Sequence, residues 1–67
     1  MIQNKLKHFR HQKEMNQKEF AAFLEFDKST YSLWERQERQ PDWENAFKLK
    51  RKLGLKYLDD LMEEVPE

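Results

Sequence analysis

Few side chains in this 67-residue sequence are typed and spaced for chemistry. His8 and His11 stand three apart, so on a helix both imidazoles would share one face and could touch one metal ion. Two ligands with no Cys or carboxylate cluster beside them make a poor site, so solvated histidines and no metal are expected. Asp59, Asp60, Glu63 and Glu64 form a second group. They lack the Gly-bearing loop of a cation site, and on a helix they would point to different sides. An acidic, solubilising tail over about residues 60–67 is the expectation. No Ser/His/Asp arrangement and no phosphate loop is visible, so neither an enzyme, a cofactor nor a small-molecule ligand is expected.

The third group is DKSTYSLWERQ, residues 27–37. Asp27 is an N-cap candidate, and Tyr31 and Trp34 fall on one helical face. The other face carries Lys28, Ser29, Ser32 and Leu33. Ser and Thr can donate to phosphate oxygens or pair with base edges, and their small size lets a helix backbone approach a duplex. The N-terminus of a helix favours a nearby phosphate through its free N–H groups and its dipole. Lys28 adds a point charge, and Leu33 can cover a thymine methyl.

Such a helix has to be held by others. Ile2, Leu6, Phe9 and Lys13 fall at helical spacing, which predicts a first helix over residues 2–13. Asn16 with Glu19 three residues later predicts a capping box at the start of a second, with Phe20, Ala21 and Leu24 inward. About three residues, Glu25 to Asp27, then lead into the third helix. Pro41 and the cap candidate Asp42 open a fourth, with Ala46, Phe47, Leu49 and Leu53 as its stripe and Gly54 as its stop. Leu55, Leu58, Leu61 and Met62 suggest a short last helix, and no strand pattern is expected. Helices of this length do not persist alone in water. They must share one core, for which Phe9, Phe20, Phe26, Tyr31, Trp34 and Phe47 are the largest pieces. The fold class expected is all-α, four to five helices in a single domain over residues 1–67. The short link between helices two and three is that of a helix-turn-helix, whose second helix enters the major groove.

Charged residues are 39% of the chain and apolar ones 37%, with a net charge of zero. The last nine residues hold five of the 13 acids and no base, so residues 1–58 carry 13 basic and 8 acidic groups. The body is basic, which a polyanion partner requires. Cysteine is absent and no apolar run exceeds the five residues of FAAFL, so neither a disulfide framework nor a membrane span is expected. The N-terminus lacks the apolar core of a signal peptide, and the cytoplasm is the expected location.

LKHFR in helix one, NQKEFAAFL in helix two, DKSTYSLWER in helix three, QP before helix four and KLGL after it occur in order. In these pieces the sequence resembles the Cro and phage-repressor (XRE) family of DNA-binding domains, from about Asn4 to Met62. The resemblance implies a lambda-repressor-like fold of five helices, with helices two and three as the reading unit. It implies phosphate contact by Gln17 and base-edge positions for Lys28, Ser29 and Leu33. Thr30, Ser32 and the stretch Arg36, Gln37, Glu38, Arg39 match positions near the DNA backbone. Arg10 and Glu35 match a pair that joins helix one to helix three. The chain departs from the family pattern at Glu25 and Gln37, where Gly is common, at Leu33, where a polar reader is common, and by about one extra residue in LKYLDDL.

Together these imply a small transcriptional regulator, a repressor of bacterial or phage origin, bound to an operator-like double-stranded site as a homodimer. Trp43, Tyr57, Leu61, Met62 and Val65 are the apolar residues left over for a dimer interface. The alternative is a protein-interaction module on the same fold, such as an antitoxin or anti-repressor.

Overall fold

The computed structural model describes residues 1–66. It contains four helices: α1 (Leu6–Gln12), α2 (Gln17–Leu24), α3 (Lys28–Glu35) and α4 (Trp43–Lys52). Each of the last three is capped by a side chain. The Asn16 carbonyl accepts the Glu19 N–H at 2.8 Å, and Glu19 in return accepts the Asn16 N–H at 2.9 Å. Asp27 accepts the Thr30 N–H and Asp42 the Asn45 N–H, each at 2.9 Å. These bonds satisfy N–H groups that a helix start otherwise leaves open. Gly54, at φ 67°, follows α4 in the left-handed region, where a residue without Cβ is least strained.

Two strands join the helices, where the sequence pattern suggested none. β1 (Ile2–Asn4) pairs antiparallel with β2 (Met62–Glu64), with Ile2 opposite Glu64 and Asn4 opposite Met62. The ladder continues at both ends, from Lys5 N–H to Leu61 O and from Val65 N–H to Met1 O, both 2.8 Å. α1 therefore begins at Leu6 and not at residue 2. The side-chain Oδ1 of Asn4 accepts the Leu6 N–H at 3.1 Å and starts the helix. The spacing of Ile2, Leu6 and Phe9 is as compatible with a strand leading into a helix as with one continuous helix.

The expected fifth helix is replaced by one 3-10 turn, Leu58–Asp60, followed by β2. Leu55, Leu58 and Leu61 are spaced by threes, the period at which a 3-10 helix aligns its side chains. Asp60 accepts the Tyr57 N–H at 3.2 Å and closes this turn. Residues 60–64 are thus tied to the N-terminus and do not form a fraying helical tail.

The core comprises Leu6, Phe20, Ala21, Leu24, Tyr31, Trp34, Leu49 and Leu61, with Phe9, Phe23, Phe26, Leu53 and Leu58 half-buried against it. Phe20 meets Tyr31 edge-on at 5.5 Å and Phe26 meets Trp34 at 4.8 Å, the arrangement aromatic quadrupoles favour. Two apolar assignments need correction. Phe47 is exposed on α4, where it stacks on Trp43 at 6.0 Å and leaves the core to Leu49 and Ala46. Leu61 is 0% exposed, so it is part of this chain's own core and is not available to a dimer partner. The ladder bond from Lys5 fixes the Leu61 backbone and sets its side chain inward. Among the described residues no helix is long and apolar enough to cross a membrane.

Candidate nucleic-acid interface

α2 stops at Leu24 because Glu25 takes the left-handed conformation, φ 65° and ψ 38°. Its N–H and that of Phe26 close back on Ala22 and Ala21 at 3.1 and 3.0 Å. A side chain in this conformation is strained by roughly 1 kcal/mol. The Glu25 carboxylate meets Lys52 of α4 at 3.1 Å, an exposed pair that offsets little of this. Only three residues, Glu25 to Asp27, separate Leu24 from the start of α3 at Lys28. The Asp27 carboxyl lies below the usual carboxylate range because the Thr30 N–H bonds its ionised form.

α3 divides into two faces. Tyr31, Trp34 and Glu35 are buried. Lys28, Ser29, Ser32 and Leu33, with Arg36 beyond the end of the helix, line one shallow outward depression of about 320 Å³. Arg36 lies over the helix terminus, where its Nε donates to the Ser32 carbonyl at 3.3 Å and its Nη2 is 3.0 Å from Glu38. Arg39 is exposed and Thr30 half-buried. Gln17, half-buried at the start of α2, lies beside the Glu35 carboxylate and helps to keep it ionised.

Gln37 is placed differently from the backbone-contacting position assigned to it. At φ 62° it ends α3 and turns its amide inward. Oε1 accepts the Asn4 N–H at 3.1 Å, and Nε2 donates to the Asn4 carbonyl at 2.9 Å. The amide thereby serves the edge of β1 that β2 leaves open. The Asn4 side chain in turn donates to Trp34 O at 2.7 Å and to Gln40 Oε1 at 2.8 Å, and Gln40 donates to Gln37 Oε1 at 2.8 Å. This clasp holds the end of α3 to the N-terminal strand. Sequence reasoning missed it. Its only trace is the pair of glutamines three apart after the tryptophan, and amides so spaced are common on solvated turns.

The other support of α3 is the Arg10–Glu35 pair. Arg10 Nη2 donates to Glu35 Oε1 at 2.7 Å, and Nε lies 3.1 and 3.2 Å from the two carboxylate oxygens. Nη1 donates to Met15 O at 3.1 Å, which ties the α1–α2 link into the same network. The side chains are 15% and 4% exposed. Burial alone would raise the Glu35 carboxyl. The hydrogen bonds from Arg10, then the polar neighbour Tyr31 and the charge of Arg10, outweigh burial and hold it below its ordinary value. The Arg10 guanidinium is held above its own ordinary value, first by the Glu35 hydrogen bonds. The Tyr31 hydroxyl makes no well-formed hydrogen bond, and burial, reinforced by Glu35, pushes its ionisation upward. Such a network fixes orientation more than it adds net stability.

These parts amount to an outward polar helix face rigidly backed by an ion pair, two aromatics and an amide clasp. No curated protein matches the chain. A family model described as Helix-turn-helix, of the Cro/C1 type, matches residues 6–61, from the first residue of α1 through the last core leucine. The match takes in all four helices and the α2–α3 turn, and the chain accordingly belongs to the Cro and phage-repressor (XRE) family of helix-turn-helix DNA-binding domains.

Proposed function

We propose that the chain binds double-stranded DNA in a sequence-specific way and regulates transcription by occupancy, as a repressor, with α3 in the major groove. The observation that carries this reading is the shared outward depression of Lys28, Ser29, Ser32, Leu33 and Arg36, on a helix whose opposite face is anchored in the core. Lys28, Ser29 and Leu33 read base edges, with Leu33 against a thymine methyl. Gln17, Thr30, Ser32, Arg36 and Arg39 hold phosphates and set the register. Gln37 acts indirectly, by fixing the helix end from which Arg36 and Arg39 project. Two chains on half-sites about one helical turn apart would cover a palindromic operator.

The test is an electrophoretic shift on DNA upstream of the chain's own gene at two salt concentrations. Two cations, Arg36 and Arg39, neutralise about two phosphates per chain, so affinity should fall at least about tenfold between 50 and 200 mM salt. Lys28→Ala combined with Leu33→Ala should change the preferred sequence while the helical spectrum persists. Absence of any shift at low salt, or binding indifferent to salt, would overturn the proposal.

A further inference from the structure

A second concavity shares no residue with the α3 depression. It is an open groove of about 660 Å³ between the start of α4 and the β1–β2 ribbon. Trp43, Ile2, Met62 and Ala46 give it an apolar lining. Trp43 is 71% exposed, although it is the side chain with most to gain from burial. It is held upright by stacking on Phe47, which is itself exposed. Tryptophan is enriched, with tyrosine and arginine, among the residues that carry most of the energy of protein interfaces.

The charge around this lining is of one sign. Asp42, Asp59, Glu63 and Glu64 all border the groove, and no Lys or Arg is among the described residues that line it. Lys5 answers Glu63 at 3.9 Å, an exposed and long pair. Asp59 and Glu64 have no ion-pair partner among the described residues. A second copy docked here by two-fold symmetry would bring these carboxylates against their own counterparts, and like charges across an interface oppose association. DNA is excluded by the same sign. The groove is complementary to an apolar anchor flanked by cations.

We propose that this groove is a docking site for a partner protein that presents an amphipathic segment, with apolar anchors against Trp43 and Met62 and Lys or Arg toward Asp59, Glu63 and Glu64. The domain is then two-sided. A polyanion occupies the α3 face and a basic-apolar segment occupies the α4–ribbon face, and the second face is what lets a domain of this size be acted on by another protein while it is on DNA. Gln40 lines the groove and also belongs to the clasp on Asn4 and Gln37, so the docked segment contacts the support of α3.

The test uses the intact chain, labelled with nitrogen-15, and no DNA, so its failure leaves the DNA-binding reading untouched. The probe is a synthetic helical peptide of about 16 residues with Leu at i, i+4 and i+7 and Lys on its flanks. Its control carries Glu for every Lys. The expected result is saturable shifts of the Trp43 indole and the Met62 and Ala46 amides with the lysine peptide alone. Trp43→Ser should weaken binding about tenfold. That exposed first-turn position leaves the core intact, and the amide spectrum verifies this. Asp59→Lys with Glu64→Lys should weaken binding by a similar factor. Equal binding of the glutamate peptide, shifts confined to α3, or no saturable shift up to millimolar peptide would overturn the proposal. So would a Trp43 signal that moves with protein concentration alone, which assigns the groove to a second copy of this chain.

Discussion

Arg10→Ala should nearly unfold the domain, and it should reverse the sign of the pH dependence of stability. The substitution removes three guanidinium contacts to a carboxylate that is 4% exposed, and one further bond to Met15 O. A buried charge stripped of its partner costs about 3–5 kcal/mol. A 67-residue domain holds roughly 3–10 kcal/mol in total. In the parent, Glu35 is depressed below its ordinary value, so its contribution is complete above the usual carboxylate range and is lost as pH falls through the folded value. Without Arg10, burial governs the carboxyl and raises it, and protonation then favours the folded state. The variant should therefore recover stability as pH falls from about 7 to 5, a window in which the parent is flat. Urea unfolding followed by far-ultraviolet circular dichroism, at both pH values and taken as variant minus parent, reads this difference free of the carboxylates common to both. Arg10→Met with Glu35→Leu should be far closer to the parent than Arg10→Ala, because it removes both buried charges. A loss below about 1 kcal/mol for Arg10→Ala, or a variant minus parent difference that does not change between pH 7 and 5, would refute the claim that Arg10 serves chiefly to neutralise a buried Glu35.

Two further substitutions address the backbone devices that frame α3. Asn4→Ala leaves the Leu6 N–H without its partner, and it takes one of two donors from the Trp34 carbonyl, which keeps the Gln37 N–H; it should cost about 1–3 kcal/mol in urea unfolding. Because the clasp holds the end of α3, DNA affinity of the folded fraction should fall as well. Glu25→Gly should stabilise the chain by about 0.5–1 kcal/mol, since it relieves the left-handed strain at φ 65° and loses only the exposed contact to Lys52. A rise in thermal midpoint with unchanged DNA affinity is the expected readout.

Much of the scaffold is local, and so was legible in the sequence. The caps at Asn16, Asp27 and Asp42 act over three residues, within the reach of a single helical turn, and all three are formed. The inward stripe of α2 and the burial of Tyr31 and Trp34 follow from periodicity, and the helix-turn-helix follows from two capped helices a few residues apart. The family was legible because its matching pieces lie along the chain in order.

Long-range pairing left no such mark. A three-residue strand is too short for alternation to identify, and Ile2, Leu6 and Phe9 satisfy a helical pattern equally well. β1 exists only because residues 62–64 return beside it, almost a full chain length away. The same return carries Leu61 into the core and puts Glu63 and Glu64 along a groove where the sequence suggested a free tail. Gln37 looked outward-facing because it follows a helix that ends in Glu-Arg, and only the approach of Asn4 from 33 residues away gives its amide two partners. Phe47 sits at a position that periodicity alone would bury, and the small core is already filled by Leu49, Ala46 and Leu61. Which segments become helices, and which of them is built to face outward, follow from neighbours three and four residues apart along the chain. Tertiary structure decided how α3 is clamped, which apolar side chains remain exposed and where the acidic residues gather, because each of these depends on which distant segments come together.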